Sequence, residues 1–211
     1  MLNPSLQETF RNLINRYSSD ELLTTKLWDE ITIHYSNESR HYHTLLHLEN
    51  LVNQLENIRL EIKNWDVVLF TLFYHDIIYV ATNSDNEEKS AELAADRMKK
   101  MKVPNEMIEL CINQIIATKT HVHSNESDTN YFTDADLSIL GQCWEDYTEY
   151  FKNVRKEYAV YPDILYNPGR IKVLNHFLSM DRIFKTDYFY NNLESKAKQN
   201  LQLEIDYLKL T

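Results

Sequence analysis

The sequence predicts an all-α fold, a single-domain helical bundle, on three observations: apolar residues recur at helical spacing, turn-forming residues are scarce, and the composition is globular. Only two glycines, Gly141 and Gly169, and four prolines occur in 211 residues. Tight β-hairpin turns are hard to build without glycine. With 43% hydrophobic and 26% charged residues, the chain is too apolar for disorder and too polar for an integral membrane protein. Its length lets one domain bury a sizeable core.

The helices follow in order. Leu6, Phe10, Leu13, Ile14 and Tyr17 mark one apolar stripe, and Leu22, Leu23, Leu27, Trp28 and Ile31 a second, separated by Ser18, Ser19 and Asp20 as turn and cap. A third helix carries His47, Leu48, Leu51, Val52, Leu55 and Ile58, and a fourth runs from Val67 through Leu72 and Phe73 to His75. Ile77 to Asn86 reads as a connection. It ends in two overlapping capping boxes, Ser84 with Glu87 and Asp85 with Glu88, so a helix is expected to about Met101. Pro104 suits the first turn of the next helix, which carries Met107, Ile108, Cys111, Ile115 and Ile116.

The polar stretch from Thr120 to Asn130 reads as the longest loop. Thr133 is expected to cap a short helix containing Asp134 and Asp136, continued by the stripe Trp144, Tyr147, Phe151 and Val154. Tyr161 to Pro168 reads as an interruption, with Pro168 opening the next helix and Asp187 capping a last one to about Lys209.

The formal charge of -10 argues against non-specific nucleic-acid binding. A phosphorylated small substrate stays compatible with that charge, because a bound divalent cation dominates the field at close range. No apolar run approaches the ~20 residues that cross a bilayer, and Met-Leu-Asn-Pro-Ser is not a basic region followed by an apolar one. The expectation is therefore a cytoplasmic protein with a small phosphorylated substrate, no DNA and no membrane, its oligomeric state left open. Cys111 and Cys143, in no CxxC pairing, read as reduced and structural.

Three of the eight histidines fall in Arg40-His41-Tyr42-His43-Thr44-Leu45-Leu46-His47. His43 and His47, four apart, share a face if both are helical, a spacing that can serve one metal. His75-Asp76 ends an apolar run, where a carboxylate without a partner is costly and a metal would neutralise it. The structural alternative is an Asp-His hydrogen-bonded pair in the core. Asp136, in Phe132-Thr133-Asp134-Ala135-Asp136-Leu137, adds a carboxylate, although an aspartate there also suits a helix start.

The ordered combination His, His-Asp, Asp on separate helical segments resembles the HD superfamily of predicted metal-dependent phosphohydrolases. The likeness extends to Arg40-His41-Tyr42-His43-Thr44, Asn86-Glu87-Glu88-Lys89-Ser90-Ala91, Asp134-Ala135-Asp136-Leu137-Ser138-Ile139-Leu140-Gly141 and Val154-Arg155-Lys156-Glu157-Tyr158, over roughly residues 30 to 210. The resemblance implies an HD-type bundle in which residues 1–35 and 142–211 extend a metal-site core. It implies one divalent ion held by His47, His75, Asp76 and Asp136, with a second ion and the use of His43 left open.

Two imidazoles and two carboxylates suit Mn, Fe, Co, Ni or Zn ahead of Mg. Metal-activated water is then expected to cleave a phosphate ester of a small metabolite, a nucleotide among the candidates. Glu87, Asp134 and His121 are the acid/base candidates, with Glu87 and Asp134 equally able to be helix caps and His121 to be a loop residue. Arg40 and Arg155 are the candidate phosphate contacts, against a default of local salt bridges. His34 and His123 read as histidines without a functional role and His176 as a packed core residue. Two rival functions are carried: a di-iron oxygenase recruiting His43 and His121, and a non-catalytic metabolite-binding protein.

Overall fold

The computed structural model describes residues 5–210, and among these it contains ten α-helices, two short 3-10 turns and no strand. The chain divides into two compact units, the first ending at Thr133 and the second beginning at Asp134.

In the first unit, α1 (Leu6–Ile14) opens with a capping box in which Ser5 and Glu8 satisfy each other's backbone N–H. Such a cap stabilises a helix by about 1 kcal/mol. Phe10, Leu13 and Ile14 are fully buried, and the Phe10 ring meets Phe73 edge-on at 4.8 Å. Asp20 caps α2 (Glu21–Tyr35) by accepting from the Leu23 N–H, as the Ser-Ser-Asp turn predicted. Next come α3 (Leu45–Glu56), a 3-10 turn (Arg59–Glu61), α4 (Trp65–Tyr74), α5 (Asn86–Lys100) and α6 (Asn105–Ala117). From Val67 to Tyr74 every α4 side chain is buried, which makes it the central helix of this unit, flanked by α1, α3, α5 and α6.

Glycine-poor helix ends need other devices. At the end of α5, Lys102 takes the left-handed backbone (φ 58°) that glycine usually fills, while Lys102 N–H donates to Lys99 O and Val103 N–H to Met98 O.

Three sequence expectations are corrected here. The capping boxes at 84–88 do not form: neither Ser84 nor Asp85 caps α5 with its side chain, and Asp85 instead pairs with Lys89 at 2.8 Å. The segment Thr120 to Asn130 is not all loop, because α7 (Ser127–Asp136) starts inside it. Its polar residues serve distant backbone: the Asp128 carboxylate accepts from Lys63 N–H and Asn64 N–H, and the Asn130 side chain pairs with both Ser124 N–H and Ser124 O. Thr133 therefore lies within the helix, its hydroxyl donating to Thr129 O.

The second unit holds a 3-10 turn (Leu137–Gly141), α8 (Trp144–Glu157), α9 (Asp163–Leu178) and α10 (Asp187–Leu208). Here α9 begins before Pro168 rather than at it, with Pro162 as its N-cap. The hydrogen bond that Pro168 cannot donate is the one to Ile164 O, and Ile164 is 80% exposed, so water is at hand. Asp187 is the first residue of α10 rather than its cap, which is Thr186. Gly141 sits where the 3-10 turn presses on α10: a Cβ there would lie 2.6 Å from the Leu193 Cβ.

A buried cluster ties three helices of this unit. Arg170 Nε donates to Glu204 at 2.7 Å, Tyr147 donates to the same carboxylate, and Arg170 Nη2 reaches the Tyr150 hydroxyl at 3.3 Å.

Candidate metal centre

His75 is the C-cap of α4 and is 1% exposed. Its Nδ1 lies 3.0 Å from the Leu72 carbonyl oxygen. A carbonyl can only accept, so Nδ1 carries the proton, and in the neutral ring Nε2 is left with its lone pair. That Nε2 faces His47 Nε2 at 3.2 Å and Asp76 Oδ2 at 3.1 Å. His47 reaches this position from the first turn of α3 and is itself buried. The Phe132 ring stands edge-on to His75 at 5.5 Å and covers that side of the imidazole.

Phe132 and Asp136 lie one turn apart on α7 and so share a face of that helix. His47, His75 and Asp136 each offer a ligand atom, all within 4.8 Å of one another, a group that could hold a metal ion. Asp76 is not one of that group of three but stands against His75, one of its members.

The spacing suits an ion. Two nitrogens each about 2.1 Å from one cation stand about 3.0 Å apart at a right angle and about 3.4 Å at a tetrahedral angle. The 3.2 Å between the two Nε2 atoms falls between these values. The rival arrangement, a protonated His75 donating to Asp76 or His47, also satisfies these distances and makes the cluster a core hydrogen-bond network.

The turn after His75 is held by side chains from far along the chain. Arg40, 6% exposed, donates from Nη1 to Asp76 O at 2.8 Å and His43 O at 3.1 Å, and from Nη2 to Ile77 O at 2.8 Å. Ser90 Oγ accepts from Ile78 N–H at 3.1 Å, and the Asn86 amide pairs with both Val80 N–H and Val80 O. The Asn86 to Ala91 segment thus fastens the loop that follows the His-Asp pair. His34 lies near this turn; burial, then the Arg40 charge, pushes its imidazole below the ordinary histidine value.

His43 precedes α3 and does not share a helical face with His47, contrary to the i, i+4 expectation. Its Nε2 is 3.8 Å from Asp76 Oδ2, and its ring lies 4.2 Å from Tyr79. Glu87 occupies the first turn of α5, 3.9 Å from Lys119 Nζ, which also binds Glu88 and the Ser84 carbonyl. His121 follows α6 in left-handed backbone, φ 53°. A non-glycine residue there is uncommon and costs about 1 kcal/mol or more.

The remaining candidates have other engagements. The fully buried Asp134 carboxylate accepts from Lys185 N–H at 2.9 Å and from Thr186 N–H and hydroxyl, each at 2.7 Å, so it secures the entry to α10. Lys185 Nζ stands 3.3 Å from it, and burial lowers that lysine's pKa. Arg155 clamps the link from α8 to α9 through Asp163, Tyr158 O and Tyr161 O, with its guanidinium over the Tyr166 ring. The spacing of Asp134 and Lys185 carried no signal of their pairing, because the two are far apart in sequence.

No family model matches the chain, and neither a curated protein nor a solved structure is similar enough to it to count as a match.

Proposed function

We propose that this chain is a metal-dependent phosphohydrolase of the HD type, holding one divalent ion on His47, His75, Asp76 and Asp136 and hydrolysing a phosphate ester of a small metabolite. The observation that carries the reading is the turning of the His75 Nε2 lone pair, by the Leu72 carbonyl behind the ring, toward a second imidazole nitrogen and a carboxylate. Acceptors gathered around one point repel unless a cation or a proton stands among them.

A divalent ion held there would supply Lewis acidity, which would acidify water and offset charge on a phosphoryl group. The protein's own part is orientation. Leu72 O fixes the tautomer of His75, Phe132 keeps water from one edge of that ring, and the buried α4 and α7 hold the donors still. We assign proton handling to Glu87 or His121 rather than Asp134, whose oxygens are engaged by Lys185 and Thr186. In a chain of net charge -10, an anionic substrate needs local positive charge to bind, which the same ion provides.

Protein purified without chelators should contain about one divalent ion per chain by mass spectrometry of the elements. Supplied with that metal, it should release phosphate or nucleoside from a member of a nucleotide and sugar-phosphate panel, and His75→Ala should lose both properties. A wild-type protein that takes up no divalent ion, or metal-loaded protein silent across the panel, overturns the reading. Two irons per chain with an oxygen-dependent spectrum would favour the oxygenase instead, with His43 beside Asp76 as an added imidazole.

A further inference from the structure

α4 ends at Tyr74 without a glycine, and the carbonyls of Asp76 and Ile77 just beyond it need donors in a buried setting. The donors are the two ends of the Arg40 guanidinium, from 36 and 37 residues upstream. The same group also binds the carbonyl of His43, four residues before His47. Its planar fork lies 4.8 Å from the centre of the Tyr35 ring and 5.5 Å from that of Tyr79. Arg40 therefore ties the segment leading into His47 to the backbone of Asp76. A lysine, with one compact ammonium, cannot span three carbonyls in that plane.

We propose that Arg40 is a positioning residue of the metal centre: by clamping the carbonyls of His43, Asp76 and Ile77 it sets the separation of His47 from His75-Asp76 and hence the coordination geometry. This replaces the phosphate contact that the sequence suggested for it. It rests on the metal-site reading above, and the two are separable by experiment.

The probe is Co²⁺ titrated into the metal-free full chain, read by its visible d–d absorption, which reports coordination number and geometry. Wild type should bind with a defined spectrum. Arg40→Lys should keep its far-ultraviolet circular dichroism but bind Co²⁺ about tenfold more weakly, within the range seen when groups behind metal ligands are removed, and with a shifted band. Tyr35→Leu removes one ring beside the guanidinium while leaving Arg40 and the proposed ligands in place. It should weaken Co²⁺ binding about threefold in the same direction, and it serves as the test should Arg40→Lys fail to fold. Arg59→Lys, on the exposed 3-10 turn, should match wild type.

A band position and affinity in Arg40→Lys within twofold of wild type, or in Tyr35→Leu if Arg40→Lys does not fold, overturns the clamp while leaving the metal site standing. A wild-type protein that binds no Co²⁺ overturns the metal-site reading, and the clamp with it.

Discussion

Two buried polar clusters in this chain are built on opposite rules. In the second unit, around Glu204, donor meets acceptor at each contact: the carboxylate receives Arg170 from one side and the Tyr147 hydroxyl from another. In the first unit, around His75, nitrogen faces nitrogen, and the His75 nitrogen also faces the Asp76 carboxylate. The Glu204 cluster is complete as an electrostatic unit, and burial together with the Glu204 charge pushes the Tyr147 phenol far above its ordinary pKa. In the proposed metal reading, the His75 cluster gathers electron pairs around one point. A complete cluster contributes to holding helices together, whereas convergent acceptors call for a cation.

The two arginines carry the same lesson. Arg170 meets a carboxylate, so its charge is neutralised where it lies. Arg40 meets backbone carbonyls, which orders a loop and the end of a helix.

The contrast can be broken most forcefully at Glu204. Glu204→Ala leaves Arg170 buried beside no carboxylate, and stability should fall by about 3–5 kcal/mol in urea denaturation. A loss under about 1 kcal/mol would mean that the cluster does not hold this unit together.

Asp76→Ala should behave differently. Without metal, the variant should be within about 1 kcal/mol of wild type, because a carboxylate facing an imidazole lone pair contributes little. With metal at 100 times its dissociation constant, wild type should gain about 2.7 kcal/mol and the variant nothing. A metal-free variant destabilised as strongly as Glu204→Ala would place the His75 cluster in the same class as the Glu204 cluster and favour the protonated network.

The glycines of the second unit give smaller effects of opposite sign. Gly141→Ala forces a Cβ against Leu193 and should cost about 1–3 kcal/mol, since the Leu193 backbone oxygen, 2.9 Å from that Cβ, must also move. Gly169→Ala, in open space inside α9, should stabilise by about 0.5–1 kcal/mol. Equal melting temperatures for these two variants would contradict the close approach at Gly141.

Much of the helical layout was legible, and the reason differs by element. α1 to α4 and α6 follow from apolar spacing, because burial of one helix face is a property of residues three and four apart, whereas the expectation of α5 rests on capping boxes that do not form. α7 was half missed, because its first turns carry Asp128 and Asn130 for tertiary hydrogen bonds rather than an apolar stripe. α9 starts earlier than the sequence pattern indicates because Pro162, not Pro168, fills the helix-opening place.

At the candidate site, the residue types were visible in the chain but their assignments were not. His47, His75 and Asp136 come together as a possible ion-binding group. Asp134 and Arg155, in equally motif-like segments, turn to the backbone and partners around them.

By itself the sequence determined the helical class and the presence of a histidine-aspartate pair at the end of an apolar helix, since both depend on neighbours within a turn or two. Only the tertiary structure decided which atom of each group faces which. Arg40 reaches a carbonyl 36 residues away and Asp134 an amide 51 residues away. A hydrogen bond is made with whatever partner packing brings within about 3 Å, and no local pattern encodes that partner.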